Sequence, residues 1–311
     1  MGLRPRLVAG YARTAVRCAC IDIGSNTTRL LVADLAGTGA NDPGPLLAPV
    51  VERRAFTELG RACRAGDALP PDVREGLAVV VAAQAQEART LGAEALRVVA
   101  TAALRRTADG LATCHALAAA AGAPVELLSE REEARLAFAG ATCALDGGRE
   151  GPIAVVDVGG GSAQLVVGTC AAGASWSVSL PLGSGDLTAA HLHGDPPGSG
   201  ELGALRATVG EALAGVALPL VAHALAVGGS ATSLRRLAGP RLDAAGLSRA
   251  LEALVAAPAA QVAEQLRIAP ERARLLPAGI VVLAAIAERV GPLEVARGGL
   301  REGVLRELAV T

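Results

Sequence analysis

The chain has 311 residues, of which 51% are hydrophobic and 19% charged, enough for two ordinary domains with a large buried core. Only four aromatic residues occur, so the core has to be built from Ala, Val, Leu and Ile, and we expect no base-stacking surface and no DNA partner. The net charge of −1 argues against a broad polyanion-binding surface, and the lack of lysine excludes a Walker A loop and Schiff-base chemistry.

The N-terminal residues carry several arginines but no long apolar run and no clear cleavage site, so we expect no signal peptide. No later segment offers about 18 consecutive apolar residues, so a membrane span is not expected either. The cysteines lack paired C-x-x-C spacing and are interpreted as small buried residues. These are Cys18, Cys20, Cys63, Cys114, Cys143 and Cys170. Together these features predict a cytoplasmic protein without a membrane partner.

The first half of the chain alternates strands and helices. Residues 18–34, CACIDIGSNTTRLLVAD, predict a β-hairpin with a tight glycine turn. Residues 72–91 predict a helix and residues 95–103 a buried strand. A helix is predicted over 107–121, then a short strand at 124–128. A further helix begins at Ser129, where Ser129 and Glu132 have the spacing of a capping box.

The second half repeats the opening pattern. After a loop at 146–152, the stretch IAVVDVGGGSAQLVVGT again has an apolar strand, an Asp, a glycine turn and a second apolar strand, which indicates an internal duplication. Residues 196–203 are predicted to form a loop. Residues 223–237 predict a strand, a Gly-Gly-Ser turn and a helix start, and the remainder is predicted to be helical apart from a strand at 293–296.

The two glycine turns are typical of phosphate-binding loops, because backbone amides without a neighbouring Cβ can closely approach an anion. Asp22 and Asp157 lie beside these turns and would repel a bare phosphate, so they predict a divalent cation between acid and anion. Asp-Gly turns are also ordinary, and 38 glycines make a triplet unremarkable. Repetition of the pattern in both halves favours the functional interpretation.

Six segments, in order from residue 19 to residue 308, resemble the motifs of the exopolyphosphatase and guanosine pentaphosphatase (Ppx/GppA) family of the actin–sugar kinase–Hsp70 superfamily. They are IDIGSNTTRLLVAD, VVATAALRR, ELLSEREEARLAF, VVDVGGGSAQLVVG, AVGGSATSLRRL and ERARLLPAGIVVLAAI with GGLREGVL. The resemblance implies an α/β fold of two ribonuclease H-like (actin-like ATPase) domains, with mixed sheets flanked by helices and the active site in the interdomain cleft. It implies an N-terminal extension at 1–17, domain I at 18–134 completed by the C-terminal helix 298–311, and domain II at 135–297.

The resemblance also implies site residues. Two phosphate loops would contain Asp22, Gly24, Ser25 and Asn26, and Asp157, Gly159, Gly160, Gly161 and Ser162. A third motif, Gly228, Gly229 and Ser230, would line the cleft. Arg105 would hold a phosphate oxygen, and Glu133 would be the general base that aligns the attacking water, with Glu132 as the fallback. Asp22, Asp157 and Glu133 would bind Mg²⁺ or another divalent cation.

Local chemistry leaves alternatives for several of these residues. Arg105 is also compatible with a solvated Arg at a strand end, and Glu133 with an acid that stabilises a helix dipole. The family usually has a glutamate where this chain has Gln164. The amide of Gln164 can donate or accept a hydrogen bond but carries no charge, so weaker metal binding or lower activity is expected.

The remaining arginines and histidines are less specific. A group of arginines after the first hairpin predicts either a basic channel for a long polyanion or a solvated loop. They are Arg53, Arg54, Arg61 and Arg64. The histidines have no metal-ligand spacing and are interpreted as surface or packing residues. They are His115, His191, His193 and His223.

The predicted function is hydrolysis of terminal phosphate from inorganic polyphosphate by metal-assisted attack of water. Hydrolysis of the 5′-phosphate of pppGpp uses the same chemistry and is the alternative within the family. An alternative of another class is a non-catalytic sensor of polyphosphate or nucleotide, which Gln164 makes credible. Homodimers are frequent in the family, so the resemblance implies a homodimer as one form of the chain.

Overall fold

The structure, a computed structural model, describes residues 15–36, 46–62, 65–143, 145 and 149–308. Most of the predicted N-terminal extension, Cys63, Arg64, part of the 146–152 loop and the last three residues of the predicted C-terminal helix therefore lie outside the described residues.

The first sheet has the strand order β3-β2-β1-β4-β5. Its strands are β1 (Val16–Ile23), β2 (Thr27–Ala36), β3 (Leu46–Phe56), β4 (Ala95–Ala100) and β5 (Val125–Leu127). The helices in this part of the chain are α1 (Leu59–Ala62), α2 (Pro71–Thr90), α3 (Ala102–Arg106) and α4 (Gly110–Ala121). Strand β1 runs antiparallel to β2 and parallel to β4, so the sheet is mixed.

The second sheet has the order β10-β11-β9-β6-β7-β8. Its strands are β6 (Ile153–Val158), β7 (Ala163–Thr169), β8 (Gly173–Leu180), β9 (His223–Val227), β10 (Arg241–Leu242) and β11 (Leu293–Val295). The helices of this half are α5 (Glu130–Thr142), α6 (Ser184–His191), α7 (Ser199–Ala214), α8 (Gly228–Ala238), α9 (Ala244–Leu254), α10 (Ala259–Leu266), α11 (Pro270–Val290) and α12 (Leu300–Leu308).

The strand order confirms the duplication expected from sequence. In both sheets an antiparallel hairpin pairs on one side with a third antiparallel strand and on the other with a parallel strand. Asp22 lies opposite Arg29 in the first hairpin, and Asp157 lies opposite Gln164 in the second. The two acids therefore occupy equivalent positions at the turn ends of equivalent strands.

Each sheet is covered on both faces, and successive residues of a strand point alternately to one face and to the other. In the first sheet, Ile21 packs towards α2 and α4, whereas Cys20 packs with Val304 of α12 on the other face. In the second, Val156 belongs to the large core with α7 and α11, whereas Val155 contacts Phe138 of α5. Apart from Phe138, the core that the structure describes is built mainly of Ala, Val, Leu and Ile, as the composition predicts.

Helices α5 and α12 pack against one another between the two sheets, with glycines at the crossing. Leu136 of α5 belongs to the core of the first sheet while Phe138 belongs to that of the second, so α5 contacts both. The predicted domain boundary between residues 134 and 135 lies inside this helix, and the domain division stays a prediction. A Cβ at Gly303 would overlap the carbonyl of Leu136, and one at Gly140 would overlap that of Gly299.

We expect Gly303→Ala to lower the free energy of unfolding by roughly 1–3 kcal/mol, because the added methyl group forces two closely packed helix backbones apart. Thermal unfolding of the two proteins measures the change. Gly210→Ala on α7 is the matched control, since its Cβ would meet nothing within 4 Å and a helical Gly-to-Ala change there should stabilise. Equal midpoints for Gly303→Ala and the wild type would contradict the close packing.

Several predicted elements are corrected. Residues 199–203 belong to α7 and not to a loop, because the carboxylate of Glu201 accepts hydrogen bonds from the amides of His193, Gly194 and Gly198 and fixes the helix start. The predicted strand at 95–103 ends at Ala100, because Thr101 is the N-cap of α3 and the helix itself begins at Ala102. Arg53 and Arg54 lie in strand β3 and not in a solvated loop, which was one of the two interpretations offered for them.

The prediction that the cysteines are buried is confirmed for three of the described cysteines. Cys18, Cys20 and Cys114 are buried, Cys143 is half-buried and Cys170 is exposed.

Candidate active site

The two predicted phosphate loops have the same internal hydrogen bond. The amide of Gly24 donates to the carbonyl of Thr27 at 3.1 Å, and the amide of Gly159 donates to that of Ser162 at 2.9 Å. In the second loop, the carbonyl of Gly160 also accepts from the amides of Gly185 and Asp186 at the start of α6. In each of these hydrogen bonds a carbonyl of the loop is the acceptor, and together the bonds hold the two turns in their conformation.

The two loops face each other at close range. A Cβ on Gly160 would lie 2.5 Å from the side chain of Asn26, and a Cβ on Gly161 would lie 2.5 Å from the Ser25 hydroxyl. A side chain at position 160 or 161 would therefore displace Asn26 or Ser25 of the opposite loop. An ion pair between Arg106 and Asp186 joins α3 to α6 beside this contact.

A cavity of about 190 Å³ lies between the loops. Most predicted site residues line it, namely Asp22, Gly24, Ser25, Asn26, Glu133, Asp157, Gly159, Gly160, Gly161, Ser162, Gly228 and Gly229. The lining also includes residues that the sequence did not single out, among them Arg29, Ser184, Arg272, Arg297, Arg301 and Glu302.

The carboxylates at the cavity lie in surroundings that disfavour their charge. Burial, together with the negative charge of Asp22, raises the pKa of Asp157 to about 6. Burial also raises the pKa of Asp22, an effect that Arg29 partly offsets. Acids that repel one another in a buried site are stabilised by a cation.

Glu133 is held by the arginine that was predicted to bind phosphate. Its carboxylate accepts a hydrogen bond of 2.6 Å from Nη1 of Arg105, which also donates to the carbonyl of Leu128 at 2.8 Å. Arg105 does not line the cavity, and its side chain is 16% exposed, so it is not a solvated Arg. Burial raises the pKa of Glu133 to about 7 despite the ion pair with Arg105. A carboxylate with such a pKa is suited to accept a proton near neutrality.

The fallback residue Glu132 does not line the cavity. It is a surface residue that pairs with Arg135, at 2.6 Å, on the same helix. Its amide donates to the Ser129 hydroxyl at 3.2 Å, which confirms Ser129 as the N-cap of α5.

Arg29 and Arg272, which line the cavity, form no ion pair or hydrogen bond with the described residues. Arg272 is 6% exposed, and its Nε is buried without a hydrogen bond. Burial, together with the charges of Arg54 and Arg29, lowers the pKa of Arg272 to about 10. Burial and nearby Arg301 likewise lower the pKa of Arg29 to about 10. Gathering unpaired cations in a buried site costs free energy that a bound anion would offset.

Arg29 could have been found from sequence, because hairpin register places it opposite Asp22 on the same face of the sheet. Arg272 could not. It comes from α11, far along the chain, and approaches the cavity only because α11 packs beside Gly229.

Two residues of the third glycine motif line the cavity, and the third packs in the interior of the protein. Gly228 and Gly229 line the cavity at the start of α8. Gly228 has a φ of +84°, and a Cβ there would overlap a carboxylate oxygen of Asp157. Ser230 does not line the cavity. Its hydroxyl is buried under Gly279 and has no hydrogen bond with the described residues.

Gln164 lines the cavity and is buried. Its Nε2 donates to the Ser162 hydroxyl at 2.7 Å, so the hydroxyl hydrogen is free to turn towards the cavity. The neutral amide orients a loop side chain without adding to the negative charge of Asp157.

The donor set fits a hard divalent cation. Among the described residues no three His, Cys, Asp or Glu side chains lie close enough together to hold a metal ion, so Asp22, Asp157 and Glu133 do not form such a group. Glu133 is turned towards Arg105 instead. The cavity-lining carboxylates of Asp22 and Asp157 nevertheless suit Mg²⁺, which is commonly bound by one or two carboxylates together with substrate phosphates and water.

Within the described ranges, no helix combines the length and the apolar character that a membrane crossing requires.

Comparisons with known proteins agree with this geometry. A family model described as the Ppx/GppA phosphatase family matches residues 40–311. Exopolyphosphatase 2 of Mycobacterium tuberculosis is 31% identical over 320 residues, which cover 94% of this chain and 98% of that protein. Guanosine-5'-triphosphate,3'-diphosphate pyrophosphatase of Aeromonas hydrophila is 27% identical, with 92% of this chain and 58% of that protein covered.

The fold is also similar to a solved structure. The crystal structure of the Aquifex aeolicus member of the Ppx/GppA protein family is 26% identical, with a TM-score of 0.77 over 95% of this chain and 98% of that one. The likeness confirms the predicted actin-like architecture with two mixed sheets flanked by helices.

Proposed function

This chain belongs to the Ppx/GppA phosphatase family, and on that premise we propose that it hydrolyses the terminal phosphate of inorganic polyphosphate. The observation that carries the proposal is a pair of acid-bearing glycine loops facing each other across a cavity lined by the unpaired cations Arg29 and Arg272. Such a site can neutralise the charge of a chain of phosphates.

We infer that the terminal phosphoryl group lies between the two loops. Their backbone amides and the hydroxyls of Ser25 and Ser162 donate hydrogen bonds to its oxygens. Arg29 and Arg272 bind the oxygens on the side of the remaining chain. Positioning and charge neutralisation of this kind account for most of the catalysis of phosphoryl transfer.

Glu133 accepts a proton from the attacking water. A bond forms between the water oxygen and the terminal phosphorus, and the bridging P–O bond breaks. The electron pair of that bond leaves with the shortened chain, and orthophosphate is released. Arg105 keeps the carboxylate oriented through its 2.6 Å bond and acts on Glu133 as a positioning residue.

Asp22 and Asp157 are the residues that would hold Mg²⁺, together with phosphate oxygens. When bound there, the cation would neutralise part of the phosphate charge and remove the repulsion between the two acids.

The second candidate is hydrolysis of the 5′-phosphate of pppGpp. The similarity to a guanosine-5'-triphosphate,3'-diphosphate pyrophosphatase favours it, and the chemistry is the same. The higher identity and fuller coverage of the exopolyphosphatase relative favour polyphosphate.

A phosphate-release assay with Mg²⁺ on polyphosphate and on pppGpp tests the proposal. We expect orthophosphate release from polyphosphate with a higher kcat/KM than from pppGpp. Greater kcat/KM for pppGpp would select the second candidate. Binding of either anion without phosphate release would favour the sensor.

A further inference from the structure

The second phosphate loop is attached to the start of α6. The carbonyl of Gly159 accepts hydrogen bonds from the amide and the hydroxyl of Ser184, at 2.9 and 3.1 Å. The carbonyl of Gly160 accepts from the amides of Gly185 and Asp186, at 2.8 and 3.1 Å. A displacement of the first turn of α6 would therefore move this loop as well.

The same turn of α6 contacts the first half of the chain. A Cβ on Gly185 would lie 2.6 Å from Oδ1 of Asn26, in the first phosphate loop. The carboxylate of Asp186 accepts a hydrogen bond from Nη1 of Arg106, the last residue of α3. A Cβ on Gly161 would lie 2.7 Å from Nη2 of Arg106, so the guanidinium also lies against the second loop itself.

Helix α3 links this ion pair to the proposed base. Its N-cap, Thr101, is held at the end of β1, because its amide donates to the carbonyl of Ile23 at 3.2 Å. Arg105, which precedes Arg106, donates to the carboxylate of Glu133 at 2.6 Å. One short helix therefore carries both the arginine that orients the base and the arginine that bonds to the second half.

The exposure of the ion pair argues against a role in stability alone. The side chains of Arg106 and Asp186 are 35% and 31% exposed. Ion pairs as accessible as this contribute little to the free energy of unfolding, because water solvates both charges. Its place between two loops that face one cavity matters more, because misplacing a reacting group by about 1 Å can lower a rate about 10²-fold.

We propose that Arg106 and Asp186 are positioning residues, which hold the second phosphate loop at the distance from the first loop and from Glu133 at which both loops contact one phosphoryl group. The inference rests on the proposed function. Asp186 acts through the start of α6 and Arg106 through α3, and neither residue lines the cavity.

A double-mutant cycle tests the ion pair, with Arg106→Ala, Asp186→Ala and the double variant assayed on polyphosphate with Mg²⁺. We expect kcat to fall roughly 10- to 100-fold in each single variant, because the phosphoryl group and the attacking water lose their alignment. KM should rise only about 3-fold, the effect of weakened hydrogen bonds from one loop. The double variant should lose no more than a single one, because each substitution breaks the same contact. Losses that multiply in the double variant would overturn the proposal.

The ion pair between Arg17 and Asp34 is the matched control, since its side chains are 35% and 33% exposed but it joins β1 to β2 within one half. Alanine at either position should lower the unfolding midpoint as little as alanine at 106 or 186, by at most about 3 °C. It should keep kcat within about 2-fold of the wild type, because no loop depends on it. Equal losses of kcat in the two pairs would overturn the positioning role.

Equilibrium binding of tripolyphosphate separates this inference from the proposed function. A wild type that released no phosphate from polyphosphate or pppGpp would contradict the proposed function alone. The dissociation constant of tripolyphosphate should still rise about 3-fold in Arg106→Ala and in Asp186→Ala, and no further in the double variant. A dissociation constant that stayed at the wild-type value in both single variants would show that the ion pair does not position the loops.

Discussion

Replacing Glu133 with Gln is expected to lower kcat for polyphosphate roughly 10²- to 10⁴-fold, the usual contribution of a positioned general base. Gln keeps the size of the side chain and can still accept a hydrogen bond from Arg105, but it cannot take a proton from water. Substrate affinity should change little because Glu133 does not bind the phosphate. Phosphate release measures kcat, and equilibrium binding of polyphosphate measures affinity.

The same substitution has a signature in the pH profile. Burial raises the pKa of Glu133 to about 7, so the wild-type base is increasingly protonated as the pH falls below that value. We therefore expect wild-type kcat/KM to fall as the pH is lowered through about 7, and the residual activity of Glu133→Gln to lack this step.

Glu132→Gln provides the matched control, since it makes the same chemical change one residue away, on an acid that pairs with Arg135 at the surface. It should retain nearly full activity. A large loss in Glu132→Gln with little loss in Glu133→Gln would transfer the base to Glu132.

The parts of the site that could be predicted from sequence are those with local patterns. The two hairpins are recognisable because an apolar alternation, an acid and a glycine turn recur within fewer than 20 residues. Ser129 is recognisable as a helix start because capping depends on residues three positions apart.

The parts that could not be predicted depend on packing between distant elements. Arg105 and Arg106 are adjacent in sequence, yet only the fold decides that Arg105 bonds to Glu133 while Arg106 pairs with Asp186. Ser230 belongs to a glycine motif but is buried under α11. Strand β8 carried a usable signal, since Trp176, Val178 and Leu180 alternate with serines, but the strand was not predicted.

Gly228→Ala is the second substitution with a large expected effect. The residue has a φ of +84°, where a side chain costs roughly 1–2 kcal/mol. Its new methyl group would also overlap a carboxylate oxygen of Asp157 and push that acid away from its position. We expect a drop in kcat/KM of at least about 10²-fold, in line with the effect of misplacing a reacting group by about 1 Å. The Mg²⁺ concentration for half-maximal activity should rise as well, because Asp157 is a proposed ligand.

Backbone strain and the displacement of Asp157 can be separated with Gly239→Ala. Gly239 ends the same helix with a φ of +86°, and a Cβ there would meet nothing within 4 Å. Both variants should unfold at a lower temperature than the wild type, but only Gly228→Ala should lose activity at temperatures where both remain folded. If Gly239→Ala lost as much activity as Gly228→Ala, strain in α8 would explain the defect. If Gly228→Ala kept its activity and its Mg²⁺ dependence, Asp157 would have no part in binding the cation.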